Sequence, residues 1–243
     1  MIFDSWSISS KCMLIMICLV IAVMVIRPKY QETFVPKDDH LFYKIYDSIF
    51  YHPIDSQYEI AEIVQTMNTS SRILDIGSGT GHRVSSLYKK GLKVVGLEES
   101  DLLHRDTKRR LPKCDLRVGS ASNALTFPPE SFTHIMCLDH AIYQYKDKSN
   151  LVENIRQWLV PDGLFIVHLP PEHTRTPNSG FYNSMLYGNL FVETVGNKNN
   201  RVRRRSNVYM ESIDHMLYMI KQHGFTEVSK HGDIRCFKKH EVF

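Results

Sequence analysis

Apolar residues occur along this chain in two arrangements, and each predicts a different element. Short unbroken runs bounded by glycine or acidic residues predict buried strands: 72–76, 92–98, 116–118, 133–138 and 164–169. Segments with apolar residues three or four apart predict helices with one inward face: 58–67 after a capping Asp55, 82–90, 151–159 and 210–220. Ile63, Val84, Leu87, Ile155, Met216 and Ile220 are among the inward positions. A more polar helix, 101–110, ends in Lys108, Arg109 and Arg110, which complement the negative end of its dipole. Two further strands, 225–228 and 234–238, close the chain. Between 170 and 207 the periodicity is lost.

The longest apolar run stands apart from this pattern. Residues 12–26 read CMLIMICLVIAVMVI, bounded by Lys11 and by Arg27-Pro28-Lys29. As a helix they reach roughly 22 Å, short of a hydrocarbon core of about 30 Å, and the stems of Lys11 and Arg27 with Trp6 at the interface close part of the gap. Residues 1–27 are expected to be an uncleaved single-pass membrane anchor, because arginine and proline come after the run where a signal peptide would carry small residues. Cleaved signal peptide and buried helix are the alternatives. The basic residues after the run, Arg27, Lys29 and Lys37, favour a cytoplasmic location for the rest of the chain. The triplet Asn68-Thr69-Ser70 is a glycosylation acceptor if the orientation is reversed. Residues 28–39, polar and proline-containing, read as a linker, and 40–243 as the folded domain.

Composition narrows the picture only modestly. With 243 residues, 43% of them hydrophobic, the chain can bury one substantial core. A formal net charge of +4 does not by itself call for nucleic acid. The 5 cysteines are scattered without a C-x-x-C pair, so neither a disulfide framework nor a zinc cluster is indicated, and no metal is expected.

The chemistry concentrates where the first strand ends. Asp75-Ile76-Gly77-Ser78-Gly79-Thr80-Gly81 places an acid and three glycines before a helix, a turn that brings bare backbone close to a ligand. Its G-x-G-x-G spacing is neither the phosphate-loop nor the dinucleotide pattern. The second strand ends in Glu98, with Glu99 next, and a carboxylate there can accept both hydroxyls of a ribose. These residues resemble the class I S-adenosylmethionine-dependent methyltransferases. The resemblance extends through 127–132, a hydrophobic-proline-acid turn, to the helix, Pro161-Asp162-Gly163 turn and strand that end near Leu169.

That resemblance implies a doubly wound, seven-stranded, mostly parallel sheet of the Rossmann-like kind, with S-adenosyl-L-methionine as cofactor. It carries cofactor contacts onto Asp75, Gly77, Ser78, Gly79, Gly81, Glu98 or Glu99, Ser120, Ala121 and Leu138. Ser120 stands where many relatives have an acid that contacts the adenine amine, so here that contact falls to the Ser120 hydroxyl, the Ala121 backbone or an apolar sandwich. Asp139 and His140, at the carboxyl end of the fourth strand, are the candidate catalytic pair: His140 to accept a proton, Asp139 to orient it or contact an acceptor ammonium. Capping the next turn is the alternative for both, since positioning alone can supply much of the rate. Tyr143 and Tyr145 are placed at the same mouth. Residues 40–51 are a packed helix or, through Tyr43 and Tyr46, a lid over the pocket.

The aperiodic segment 170–207 is expected to be a substrate-side insertion. Its Arg201-Val202-Arg203-Arg204-Arg205 run is a solvated loop, a lipid contact or a nucleic-acid contact. The function expected is methyl transfer to an unidentified acceptor: a small molecule first, then protein or RNA. A membrane-tethered binding module without activity is the alternative.

Overall fold

The structure, a computed structural model, describes residues 63–170, 182–196 and 201–240. The expected anchor, linker and lid lie outside the described residues. Among the described residues no helix is long and apolar enough to cross a membrane.

Ten strands and four α-helices make up the described chain, in order: β1 Arg72–Ile76, α1 His82–Lys89, β2 Lys93–Glu98, α2 Asp101–Arg110, β3 Asp115–Val118, β4 Phe132–Cys137, α3 Lys148–Trp158, β5 Leu159–His168, β6 Tyr182–Tyr187, β7 Leu190–Gly196, β8 Arg201–Asn207, α4 Ile213–Gln222, β9 Phe225–His231 and β10 Ile234–Lys239. Seven of the strands form one sheet in the order β3-β2-β1-β4-β5-β10-β9. β3 to β5 pair in parallel, and β10 alone runs against its neighbours. This is the expected seven-stranded, mostly parallel sheet.

β1 is central because both its faces are apolar. Leu74 and Ile76 pack on one side with Ile135, Phe165, Val167, and with Leu151, Ile155 and Trp158 of α3 and Met216 and Ile220 of α4. Ile73 packs on the other side with Val94, Met136, Ile166 and with Val84 and Leu87 of α1. Helices therefore cover both faces, and chain order reverses direction between β1 and β4. At such a point the loops leaving neighbouring strands diverge, opening a crevice at their carboxyl ends.

Three expectations are corrected. The helix before β5 begins at Lys148, capped by the Asp147 side chain, rather than at 151. β5 begins at Leu159, and the Pro161-Asp162-Gly163 turn becomes a bulge within it: Phe132 pairs with Leu159, His134 with Leu164, and Asp162 takes φ 59°. The described part of the aperiodic segment is not a loop. β6, β7 and β8 form a three-stranded antiparallel sheet, and the arginine run is β8 itself.

Candidate functional site

The glycine loop crosses the carboxyl end of β1 and is held by backbone on both sides. The N–H groups of Gly77 and Ser78 donate to the Leu97 carbonyl of β2 at 2.9 and 3.1 Å. From α2, Thr107 Oγ1 donates to the Gly79 carbonyl at 3.1 Å and Arg110 Nη2 to the Thr80 carbonyl at 3.2 Å. Gly77, Gly79 and Gly81 all have positive φ, which side chains resist. A Cβ at Gly77 would lie 2.9 Å from that of Ala141, and one at Gly81 2.7 Å from Thr107 Cγ2. At Gly79 it would meet only the Gly77 carbonyl, at 3.9 Å, so that bare face opens onto the cavity beneath.

The cavity is lined by Gly77, Ser78, Gly79, Glu98, Glu99, Leu138 and Asp139 among the residues singled out from sequence. Glu98 is fixed at both oxygens: Oε2 accepts the Gly79 N–H at 3.0 Å and Oε1 the Ser100 N–H at 2.9 Å. Burial raises its pKa, against the pull of those two bonds. Beside it, Ser120 Oγ donates to Glu99 Oε1 at 2.5 Å. Ala121 is buried, its carbonyl accepting from Asn154 Nδ2 at 2.9 Å. Asp75, Gly81, Ser120 and Ala121 do not line the cavity.

Asp75 lies beneath the loop, fully buried, with neither carboxylate oxygen accepting a hydrogen bond. Burial pushes its pKa up to about 6, while Arg83, whose Nε is 3.6 Å from Oδ1, pulls it down. Arg83 is itself buried and does line the cavity, where Nη1 donates to Asp139 Oδ2 at 2.8 Å. His82 next to it is held neutral, its pKa lowered by burial to about 4.

Asp139 and His140 diverge. Both adopt positive φ, 50° and 64°, and the tight turn sends Asp139 into the cavity. The His140 ring is buried behind the wall, 4.8 Å from the His168 ring and 6.5 Å from Tyr143. Tyr145 lines the cavity and Tyr143 does not. Burial raises the pKa of both phenols, that of Tyr143 to about 12.

Sequence reasoning missed Arg83, Leu103 and Arg204. Arg83 sits in the first turn of α1, next to the inward position Val84. Arg204 comes from β8 and pairs at 3.7 Å with Glu193, which is buried. Among the described residues no cluster of His, Cys, Asp or Glu is placed to hold a metal ion.

The cavity volume here is about 110 Å³, and among the described residues two larger hollows lie elsewhere: 920 Å³ at the amino ends of β1 and β2, and 580 Å³ beside β9 and β10. Size would select those. Neither touches the glycine loop or Glu98, and the smaller cavity is the one at the crevice the topology opens.

A family model described as "Methyltransferase domain" matches residues 73–163. An uncharacterized methyltransferase of Oceanobacillus iheyensis is 25% identical over 141 residues, 57% of this chain and 61% of that protein. The dTDP-4-amino-2,3,4,6-tetradeoxy-D-glucose N,N-dimethyltransferase of Saccharopolyspora spinosa is 26% identical over 114 residues, 45% of this chain and 46% of that one. The match thus spans less than two thirds of these curated relatives. Among solved structures, the S-adenosylmethionine-bound amino pentose methyltransferase CalS10 of Micromonospora echinaspora superimposes with a TM-score of 0.59 at 16% identity, covering 76% of this chain and 90% of that one.

Proposed function

Because the chain belongs to the class I S-adenosylmethionine-dependent methyltransferases, we propose that it transfers a methyl group from that cofactor to a nucleophile on a small molecule. The observation that carries the reading is the cavity under the glycine loop, where the bare face of Gly79 meets the Glu98 carboxylate fixed by two backbone N–H groups. Asp75, wholly buried beneath the loop with Arg83 Nε 3.6 Å from Oδ1, holds that guanidinium against the cavity wall.

The side chains suit this cofactor. The loop backbone would take its amino-acid end, and Glu98 the ribose hydroxyls through lone pairs left by its two backbone bonds. Leu103 and Leu138 would flank the purine. When bound, the cofactor supplies an activated methyl on a sulfonium, and the protein's part is alignment.

Asp139, half-exposed at the mouth and held by Arg83, would orient the acceptor, for which an amine is the natural partner of a fixed carboxylate. His140 would act behind it by fixing the turn. Two relatives act, by their names, on amino sugars, which supports a small polar acceptor. We propose further that residues 12–26 tether the domain to the cytoplasmic side of a membrane, a reading supported by their apolar run and basic flank.

Calorimetric titration of the full chain with S-adenosylmethionine and S-adenosylhomocysteine tests the cofactor reading. Saturable binding that Gly79→Arg abolishes and Glu98→Ala weakens is expected; a folded wild-type chain that binds neither overturns it.

A further inference from the structure

The 920 Å³ groove at the amino ends of β1 and β2 follows from a crossover that carries no α-helix. Between β3 and β4 the chain forms only the 3₁₀ turn Ala124–Thr126. On the face that α3 and α4 cover at β1 and β5, β2 and β3 therefore have no helix above them among the described residues. Parallel register sets the chemistry of that bare face. Arg72 pairs with Lys93, Val95 with Asp115 and Leu97 with Arg117, and paired residues on neighbouring strands point the same way. Leu97 lies in the core with Leu74 and Ile76, so Arg72, Lys93, Val95 and Arg117 share its side.

Five exposed cations, Arg72, Lys89, Lys93, Lys113 and Arg117, line the groove against one acid, Asp115. They are not equivalent. Arg72 holds the chain entering β4, with Nε donating to the Ser131 carbonyl at 2.7 Å and Nη2 to that of Glu130 at 3.2 Å. Arg117 pairs with Asp115 at 3.1 Å and lies 5.4 Å from the centre of the Phe127 ring. Lys89, Lys93 and Lys113 have no carboxylate within ion-pair distance among the described residues. Three like charges around a hollow whose single acid is already paired attract an anion. The floor between them is apolar: Phe127 and Phe132, buried and edge to face at 4.9 Å, with Leu92 and Val95. Free phosphate would satisfy the rim and leave this floor facing water.

We propose that the groove binds an anionic amphiphile of the phosphate-bearing lipid class, its head held by Lys89, Lys93 and Lys113 and its apolar tail laid over Val95, Phe127 and Phe132. The volume is within the roughly 300–1,000 Å³ of small-molecule sites. The groove lies at the strand ends opposite the glycine loop, so this ligand is neither cofactor nor methyl acceptor, and its binding does not depend on the cofactor.

The test is calorimetric titration of the full chain with decyl phosphate below its micelle concentration, beside octyl phosphate, inorganic phosphate and decyl maltoside. Saturable binding of decyl phosphate is expected, roughly tenfold tighter than octyl phosphate for two more buried methylenes, with inorganic phosphate and the uncharged maltoside far weaker. Lys93→Glu combined with Lys113→Glu should weaken binding by about 25-fold, at roughly fivefold for each lysine. Thermal melts and S-adenosylhomocysteine affinity should stay unchanged in that variant. Lys90→Glu combined with Arg109→Glu, exposed cations that do not line the groove, should bind as wild type. Affinity unchanged in the first pair places the amphiphile elsewhere on the chain and overturns the proposal, as does equal weakening by the second pair. Inorganic phosphate binding as tightly as decyl phosphate overturns it too, because the floor then contributes nothing.

Discussion

Arg83 Nη1 sits 2.8 Å from Asp139 Oδ2, joining the first turn of α1 to the end of β4 across the cavity. The same guanidinium is 3.6 Å from Asp75 through Nε. One buried cation therefore stands between a wholly buried acid and a half-exposed one, and removing it leaves Asp75 uncompensated. Arg83→Leu is expected to destabilise the fold by about 3 kcal/mol at pH 8, the usual loss when one partner of a buried pair is deleted. Arg83→Lys should recover part of this, since a lysine keeps the charge but cannot reach both acids in one plane. Urea denaturation of the three proteins measures it.

Asp75 makes stability depend on pH with a sign opposite to that of most acids. Its pKa is raised from 3.8 unfolded to about 6 folded. The folded state therefore holds the proton more tightly. The resulting stabilisation is full below pH 4 and is lost as pH rises through 6, by an amount on the order of 3 kcal/mol. Comparing wild type with Asp75→Asn isolates this group from the other acids: the difference in unfolding free energy should change between pH 4 and 7 and stay flat above.

Gly96 supports the glycine loop from the neighbouring strand. A Cβ there would lie 2.8 Å from Leu116 Cδ2 and 2.9 Å from Ser78 Cβ. Gly96→Ala must push the Ser78 turn into the cavity or spread β2 from β3, costing about 1–3 kcal/mol as overpacking does. Cofactor affinity should fall with it. Gly91→Ala is the control: its φ of +81° is strained in any L residue, but nothing lies within 4 Å, so stability falls and affinity does not. Thermal melts beside calorimetry separate the two effects.

Asp75, the three glycines and Glu98 were legible in the sequence because their relationship is local, a strand, its exit turn and the next strand's end, and because that spacing resembles the first motifs of the methyltransferases. Arg83 was not, since its partner Asp139 lies 56 positions away and only the β1–β4 adjacency brings them together. The β6–β8 sheet escaped for a different reason. β7 does alternate, burying Phe191, Glu193 and Val195, but a charged residue in the middle of the inward face breaks the apolar signal. β6 presents Met185, Leu186 and Tyr187 consecutively exposed, so it shows no alternation at all. β5 was cut short because Pro161-Asp162-Gly163 has the composition of a turn. A bulge is a turn's worth of residues kept within the ladder, and single-strand composition cannot tell the two apart.

The arginine run of β8 divides by strand geometry into unlike residues. Side chains on a strand alternate faces. Arg203 and Arg205 are exposed, whereas Arg204 is half-buried, lines the cavity and lies 3.7 Å from Glu193 Oε2. Glu193 is 1% exposed, so losing this cation removes compensation from a buried charge. Arg204→Met is therefore expected to cost about 1–3 kcal/mol, more than Arg203→Ala or Arg205→Ala, whose side chains are exposed. Arg204 also lowers the pKa of Glu98, so its loss should shift the pH dependence of cofactor binding upward, a readout that a purely structural role for Arg204 would leave unmoved. Equal losses of stability at all three positions, with an unshifted pH profile, would mean that the run acts as a uniform charged surface.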